Sequence, residues 1–174
     1  RPRGIEKNQG CTEVRRMNNI GLSGLTWHNA SSDIVMVKDI VRFVTDQKGI
    51  EFHVGCDSHF AKEKCIFALV IAVYEPGKGG TYFFTRKKVP RKKLQNMKIR
   101  LLKETELAIS VADFLSRHVG IENIHVHLDI NPNKKFKSSQ VFTSATSWVK
   151  SQGYSCVVKP DSWASSWLAD AYAK

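Results

Sequence analysis

The spacing of apolar residues changes repeatedly along the chain and predicts a succession of strands and helices. Strand-like apolar runs lie at residues 50–57, 65–74, 81–89, 124–130 and 154–159. Helical spacing follows at residues 91–118, at 136–152 and from 163 to 174, and an earlier helix is predicted between residues 31–33 and 48–49. Pro90, Gly120 and Gly153 lie at the ends of these segments, where helix- and strand-interrupting residues are expected.

The order of these elements predicts an α/β fold. From residue 50 the order is β-β-β-α-β-α-β-α, and the turn-forming cluster at 75–80 joins the second and third strands as a hairpin. Strands that are separated by helices require parallel crossovers, whereas the three leading strands can pair antiparallel. We therefore expect a five-stranded mixed sheet flanked by helices.

The first 30 residues differ from the rest of the chain because they show no sustained period. They contain four glycines, several asparagines and the basic pair Arg15-Arg16. We interpret residues 1–30 as an irregular basic arm that could dock on a nucleoprotein partner, and residues 31–174 as one domain with an extra N-terminal helix. Ser31, Ser32 and Asp33 are of the residue types that open helices.

The charge indicates a polyanionic partner. Lys and Arg number 27 against 16 Asp and Glu, which gives a formal net charge of +11. Nucleic acid is the first expectation and an anionic membrane surface the second. No apolar run reaches the roughly 18 residues that a membrane-spanning helix needs, so we predict no membrane insertion.

Two basic clusters and one further lysine are candidate phosphate contacts, although a solvated basic face is the alternative interpretation. These residues are Arg86, Lys87, Lys88, Arg91, Lys92 and Lys93, then Lys134, Lys135 and Lys137, and finally Lys159.

The four cysteines form no C-x-x-C pair, and we interpret them as reduced thiols. Reduced thiols are typical of an intracellular protein. We expect a cytoplasmic location, or an organelle matrix if a leader was removed.

Two aspartates lie on predicted strands. Asp57 closes the first strand, and its alternative role is that of a turn-starting residue that bonds local backbone. Asp129 shares one strand face with His125 and His127, opposite the apolar face. A carboxylate inside a strand flanked by helices is costly to bury unless it is paired or binds metal.

Two further carboxylates are predicted to face the sheet from helices. Glu104 falls on the apolar stripe of the long helix, while Glu106 points to nearly the opposite side. Asp170 lies on the inward side of the last helix. Asp161 precedes that helix and has a second interpretation as its N-cap, so we rank Asp161 behind Asp170.

Four carboxylates from four elements indicate a site for hard divalent cations. Mg²⁺ is held by a few carboxylates together with water and substrate phosphate. Two Mg²⁺ or Mn²⁺ ions about 4 Å apart could activate a water and stabilise the leaving oxygen of a phosphodiester.

The element order and carboxylate placement resemble the ribonuclease H-like superfamily. More narrowly, four segments resemble the bacterial ribonuclease H-like YkuK family: Val-Gly-Cys-Asp-Ser-His (54–59), Lys-Glu-Thr-Glu-Leu-Ala (103–108), His-Leu-Asp-Ile-Asn-Pro (127–132) and Lys-Pro-Asp-Ser-Trp-Ala-Ser-Ser-Trp-Leu-Ala-Asp (159–170). The tail 168–173 is similar to the closing Ala-Asp motif of RuvC-type resolvases. The resemblance covers about residues 31–174. It implies a metal-dependent nuclease and supplies no substrate.

The leading hypothesis is a two-metal nuclease that acts on RNA, DNA or a hybrid. Its ligands are Asp57, Glu104, Asp129 and Asp170, with Asp161 in reserve. His59 or Lys159 could assist proton transfer or bind phosphate.

Three alternatives remain. The first is a non-catalytic nucleic-acid-binding subunit of a nucleoprotein assembly that keeps the same fold. The second is a zinc site at His125 and His127, with His53 and His59 as further donors. The third is a thiol nucleophile at Cys56 beside His59.

Overall fold

A seven-stranded mixed sheet forms the centre of the computed structural model, which describes residues 24–46, 50–94 and 96–174. The strands follow one another as β1 (Trp27–Asn29), β2 (Ile34–Val35), β3 (Glu51–Ala61), β4 (Lys64–Glu75), β5 (Gly79–Pro90), β6 (Ile124–Leu128) and β7 (Ser155–Val158). Across the sheet their order is β2-β1-β5-β4-β3-β6-β7. The prediction of a mixed sheet is confirmed, but the prediction of five strands is wrong.

Helices connect or flank these strands. The α-helices are α1 (Val37–Thr45), α2 (Met97–Asp113), α3 (Phe142–Ser151) and α4 (Asp170–Ala173). Short 3₁₀ turns at Arg91–Lys93 and Lys137–Val141 precede α2 and α3. A π-helical stretch, Phe114–Val119, extends α2, and a second one, Ala164–Ala169, runs into α4. We call Ala164–Ala173 the C-terminal helical segment.

Strands joined by short turns pair antiparallel, and strands joined through helices pair parallel. β3, β4 and β5 pair antiparallel as a meander. β6 lies parallel to β3, and β7 lies parallel to β6, with α2 and α3 in the two crossovers. The carboxyl ends of β6 and β7 therefore meet at one edge of the sheet, beside β3, which continues past them.

The two extra strands lie where the sequence predicted irregular chain and the first turn of a helix. Trp27, which is buried, pairs with Thr85 on the outer side of β5. The Asn29 side chain accepts hydrogen bonds from the backbone N–H of Ser31 and of Asp33, which closes a turn between β1 and β2. β-Branched Ile34 and Val35 then pair with β1, so helix α1 starts at Val37. Residues 1–23 and the predicted helix end at 47–49 lie outside the described residues.

The sheet separates a large apolar core from a small one. In the large core, α1, α2 and α3 pack on the face that carries Phe52, Val54 and Cys56. The small core lies under the C-terminal helical segment and contains Ala68, Val70, Ala72, Phe84, Ala169 and Ala173. Its small side chains let that segment approach the sheet closely.

Gly55 marks the closest approach of this segment. A Cβ atom at Gly55 would lie 2.4 Å from the carbonyl carbon and oxygen of Ala164. The absence of a side chain at this position therefore sets how deeply the C-terminal helical segment sits.

Among the described residues, no helix is both long enough and apolar enough to cross a membrane. Cys56, Cys65 and Cys156 are free thiols, and Cys11 lies outside the described residues.

Candidate active site

Two aspartates lie side by side on neighbouring parallel strands. Cys56 of β3 is paired with Leu128 of β6, so Asp57 and Asp129 occupy the next position along both strands. Asp129 follows the last residue of β6, whereas the sequence pattern predicted it inside a strand over residues 124–130. Asp57 lies inside the long strand β3 rather than at its end, because β3 continues to Ala61.

This pair belongs to a row of side chains across the sheet that ends in a basic residue on each side. Asp57 is paired with Ala68, and Ala68 with Arg86. On the other side, Leu128 is paired with Val158, so Lys159 stands next to Asp129. We call Lys159, Asp129, Asp57, Ala68 and Arg86 the acidic row. Because side chains alternate between faces, all five point to the face that the C-terminal helical segment covers.

The C-terminal helical segment contacts the acidic row directly. The Ser166 hydroxyl donates to Asp129 Oδ1 at 2.6 Å. Asp170 lies near Asp57, where its charge acts on the Asp57 carboxyl group. Burial, together with the charges of Asp129 and Asp170, raises the pKa of Asp57 to about 7, although the backbone N–H of Ser58 opposes this shift.

Glu104 reaches the acids from α2, on the other face of the sheet. It is 3% exposed, and its Oε1 accepts a hydrogen bond from Ser58 Oγ at 2.5 Å. Burial raises the Glu104 pKa to about 8, and the negative charges of Asp57 and Asp129 add to this shift. Arg100, which donates to the Ser58 carbonyl at 3.0 Å, acts in the opposite direction. The four carboxylates thus form one electrostatic group.

Asp161 lies apart from this group. It is exposed in the turn after β7, where its N–H donates to the carbonyl of Val158. The helical turn begins at Ser162, whose carbonyl accepts from the N–H of Ser166. Of the two candidates for a fourth acid, Asp170 is therefore the one that stands beside Asp57.

Lysines balance part of the negative charge. Lys159 Nζ lies 2.8 Å from Asp129 Oδ1, and Lys174 Nζ lies 2.6 Å from Asp170 Oδ2. Both side chains are long and partly exposed, so they can move away without disturbing the core.

The donor set matches a divalent cation in chemistry but not in side-chain orientation. Within residues 24–46, 50–94 and 96–174, no three His, Cys, Asp or Glu side chains are spaced to hold a metal ion. The carboxylate oxygens instead face Ser58, Ser166 and the two lysines. Burial is the main cause of the raised pKa values of Asp57 and Glu104, and the charges of neighbouring carboxylates add to it.

The predicted basic residues divide between the two faces of the sheet. Arg86 lies in the acidic row, and Lys88 shares the next row of that face with Ile66 and His59. Lys87 alternates to the other face, near the charges of Lys103 and Glu106.

The remaining predicted basic residues lie on turns and one loop. Arg91, Lys92 and Lys93 are exposed on the turn before α2, and the Arg91 guanidinium lies 4.5 Å from the centre of the Phe60 ring. The side chains of Lys134, Lys135 and Lys137 are exposed after β6, at the sheet edge that carries Asp129.

His53 and His127 pack as neutral core groups and give no support to a zinc site. His53 Nδ1 and His127 Nε2 are 3.0 Å apart, and the N–H of Ala164 donates to His127 Nδ1 at 3.4 Å. Both ring nitrogens of His127 are therefore engaged, while His125 stacks on His53. Burial lowers the pKa of His53 to about 4 and that of His127 to about 3.

The thiol hypothesis also fails on geometry. Cys56 is buried on the face that packs against α2, whereas His59 is exposed on the opposite face. Burial and the nearby carboxylates raise the Cys56 pKa well above its usual value, which disfavours a thiolate.

Three further residues that contact the site were not predicted from the sequence. Ser58 is the partner of Glu104, Arg100 holds the backbone at Ser58, and Ser166 is the partner of Asp129. Ser166 precedes Asp170 by four residues and so shares its side of a helix, a spacing that could have indicated its role. Ser58 offered no such signal, since its side chain points away from Asp57.

A mixed sheet with aspartates on adjacent parallel strands, joined by acids from two helices, defines a ribonuclease H-like protein. The family model described as Ribonuclease H-like matches residues 35–174, so the chain belongs to the ribonuclease H-like family. The narrower likeness to the YkuK family stays a resemblance. Searches of curated proteins and of solved structures gave no match.

Proposed function

We propose that the protein is a metal-dependent nuclease that hydrolyses phosphodiester bonds of nucleic acid. The observation that carries the proposal is the cluster of Asp57, Asp129 and Asp170 with buried Glu104, set in a row that ends in Lys159 and Arg86. The family match makes a nucleic-acid substrate the natural choice, and the net charge of +11 favours a polyanion.

The four carboxylates would hold Mg²⁺ or Mn²⁺, and we expect two ions. Such ions lower the pKa of an attacking water and stabilise the leaving oxygen. Lys159 and Lys174, now paired with Asp129 and Asp170, would turn to the substrate phosphates. Arg86 and Lys88 would hold the strand on the other side of the acids.

Glu104 and Glu106 provide a matched test of this proposal. Both are carboxylates of α2, but Glu104 is buried beside Asp57, whereas Glu106 forms an ion pair with Lys103 on another side of the helix. With labelled single-stranded RNA, DNA, hybrid and branched substrates in Mg²⁺ or Mn²⁺, we expect Glu104→Gln to lower cleavage by roughly ten- to a hundredfold. Glu106→Gln should cleave like the wild type, and Asp129→Asn should behave like Glu104→Gln.

The second candidate function is a non-catalytic nucleic-acid-binding subunit of a nucleoprotein assembly, docked through residues 1–30. The ion pairs of Asp129 with Lys159 and of Asp170 with Lys174 favour it, because each of these carboxylates has a cationic partner within the chain. Salt-dependent binding of every substrate without cleavage of any would support this candidate and exclude the nuclease.

A further inference from the structure

A cleft of about 510 Å³ opens on the same face of the sheet as the acidic row. One wall is the N-terminal segment that contains β1, and the opposite wall is Tyr172 of α4. The floor is formed by Ile66, Phe84, Arg86 and Lys88 from β4 and β5. Its volume lies in the range of pockets that hold small ligands.

The charges of the cleft favour an anion. Arg86 and Lys88 both line it, and none of the described residues that line it is acidic. Arg86 Nε donates to the Tyr172 carbonyl at 2.7 Å, which fixes the guanidinium against the wall. A positioned guanidinium beside an ammonium group is a typical phosphate-binding arrangement.

Aromatic rings and aliphatic side chains line much of the rest of the cleft, beside the polar residues Thr26 and Ser32. The Phe84 ring stacks with His28, at 5.1 Å between ring centres, and with Tyr172, at 3.6 Å. Leu25 and Ile66 add aliphatic surface. An isolated phosphate would leave these surfaces unused, whereas a nucleotide carries both a phosphate and a flat base.

The cleft lies next to the acids along the sheet. Arg86 stands two strands from Asp57 in the acidic row, which corresponds to about 10 Å at the usual strand spacing. In the next row of the same face, Ile66 and Lys88 line the cleft, and Ile66 is paired with His59 of β3.

We propose that this cleft binds one unpaired nucleotide of a strand whose neighbouring phosphate lies at the acidic row. This inference rests on the proposed function and adds to it a single-stranded substrate. An unpaired base is required because the cleft is bounded on both sides, by the N-terminal segment and by α4, and a base in a duplex could not enter it. Positive charge beside aromatic surfaces is the usual basis of single-strand binding.

Binding of a labelled single-stranded oligonucleotide to the full chain, without divalent ions, tests the cleft separately from catalysis. Lys88→Glu changes the charge inside the cleft, and Lys150→Glu makes the same change on α3, which packs on the other face. We expect Lys88→Glu to weaken binding about five- to tenfold more than Lys150→Glu does, and to lower the salt slope by roughly 0.7, as for one lost phosphate contact. Thermal melting checks that both variants fold.

An abasic oligonucleotide of the same length tests whether a base contacts the rings of His28, Phe84 and Tyr172, because it keeps the phosphates and lacks the bases. We expect wild type to prefer the intact strand and His28→Ala to lose much of that preference. If the wild type binds both strands equally, the cleft does not bind a base, and the result supports a phosphate site only. If Lys88→Glu and Lys150→Glu weaken binding equally, the proposal that the cleft binds nucleic acid is contradicted.

The proposal of nucleotide binding in the cleft and the proposal of nuclease activity can be contradicted independently. Selective weakening by Lys88→Glu with no cleavage of any substrate in Mg²⁺ or Mn²⁺ would keep the cleft and exclude the nuclease. Wild-type cleavage with unchanged binding by Lys88→Glu would exclude the cleft and keep the nuclease.

Discussion

At the scale of single residues, the acidic row shows how folding can oppose ionisation. Asp57 is drawn out of water and placed beside Asp129 and Asp170, so its pKa rises to about 7. Glu104 is more deeply buried, and burial raises its pKa to about 8. The folded protein therefore binds protons at neutral pH that the unfolded chain releases near pH 4.

This difference makes stability depend on pH in a definite direction. For a carboxyl group whose pKa is raised on folding, the stabilising contribution is complete below the unfolded value and is lost as pH rises through the folded value. In EDTA, we expect the melting temperature of the wild type to rise as pH falls from 8 to about 6.5. Asp57→Asn should melt higher than wild type at pH 8, because it removes the cost of burying this charge beside other carboxylates. The increase should be roughly 2–4 °C per kcal/mol of that cost, and the variant should show a smaller rise as pH falls.

Asp161→Asn is the matched control for this prediction, because Asp161 is exposed and lies outside the carboxylate group. Melting curves by calorimetry or circular dichroism measure both variants. An Asp57→Asn variant less stable than wild type at pH 8 would contradict the inferred cost of ionising the buried Asp57.

The buried histidines predict the opposite trend at lower pH. The folded pKa of His127, about 3, lies below its ordinary value of 6.5, so its contribution is present above pH 6.5 and is lost as pH falls toward 3. His127→Gln stays neutral and should lose less stability than wild type between pH 6.5 and 4. His59→Gln, an exposed change on β3, should keep the wild-type acid dependence when urea midpoints are compared across that range.

Residue chemistry was only partly predictable from the sequence. The inward orientation of Glu104 follows from helical periodicity, and the shared face of His127 and Asp129 follows from strand alternation. The hydrogen bond from Ser58 to Glu104 joins residues on different elements that are 46 positions apart. No local sequence pattern predicts such a contact, because it depends on how α2 packs against the sheet.

At the scale of elements, the C-terminal helical segment organises the site. It supplies Ser166 to Asp129, places Asp170 beside Asp57, and donates the Ala164 N–H to His127. Its depth is limited by Gly55, where a Cβ atom would meet the Ala164 backbone.

Gly55→Ala should therefore displace this segment. The contact is with backbone atoms, which cannot move aside as a flexible side chain would, so we expect a loss of about 1–3 kcal/mol in unfolding free energy. Because Asp170 moves with the segment, cleavage should fall more than the binding of nucleic acid measured in EDTA. Wild-type stability together with wild-type cleavage would show that the segment can shift without affecting the site.

Element prediction succeeded where the pattern was long and failed where it was short. Strands β3, β4 and β5 and helix α2 have extended apolar patterns that fix their type. β1 and β2 have three and two residues, too few for a period to show. Ile34 also continues the helical spacing of Val37, Ile40 and Val44, so only its pairing with β1 identifies it as a strand residue.

At the scale of the whole molecule, the positive charge surrounds an acidic centre. Arg86 and Lys88 lie on one side of Asp57 and Asp129, Lys159 lies on the other side, and the lysines of the loop after β6 lie at the sheet edge that carries Asp129. This distribution places the acids where a nucleic-acid strand would be held by its phosphates.

The expected consequence is a strong dependence of binding on salt. Four phosphate contacts to a single strand predict a slope of roughly −2.8 in log affinity against log salt, or about a 50-fold loss between 50 and 200 mM. Fluorescence anisotropy in EDTA measures this slope. A slope near zero would contradict phosphate contact by these residues.

The parallel pairing of β3 with β6 has a consequence for how the gene can vary. Since successive residues of a strand point to opposite faces, deleting one codon between Phe52 and Cys56 would put Ser58 in the place of Asp57 and turn that aspartate toward the apolar core. Length changes in the turn at 76–78 or in the loop at 131–136 leave this parity intact. Frame-preserving insertions and deletions should therefore be tolerated in those two connections and eliminated within β3.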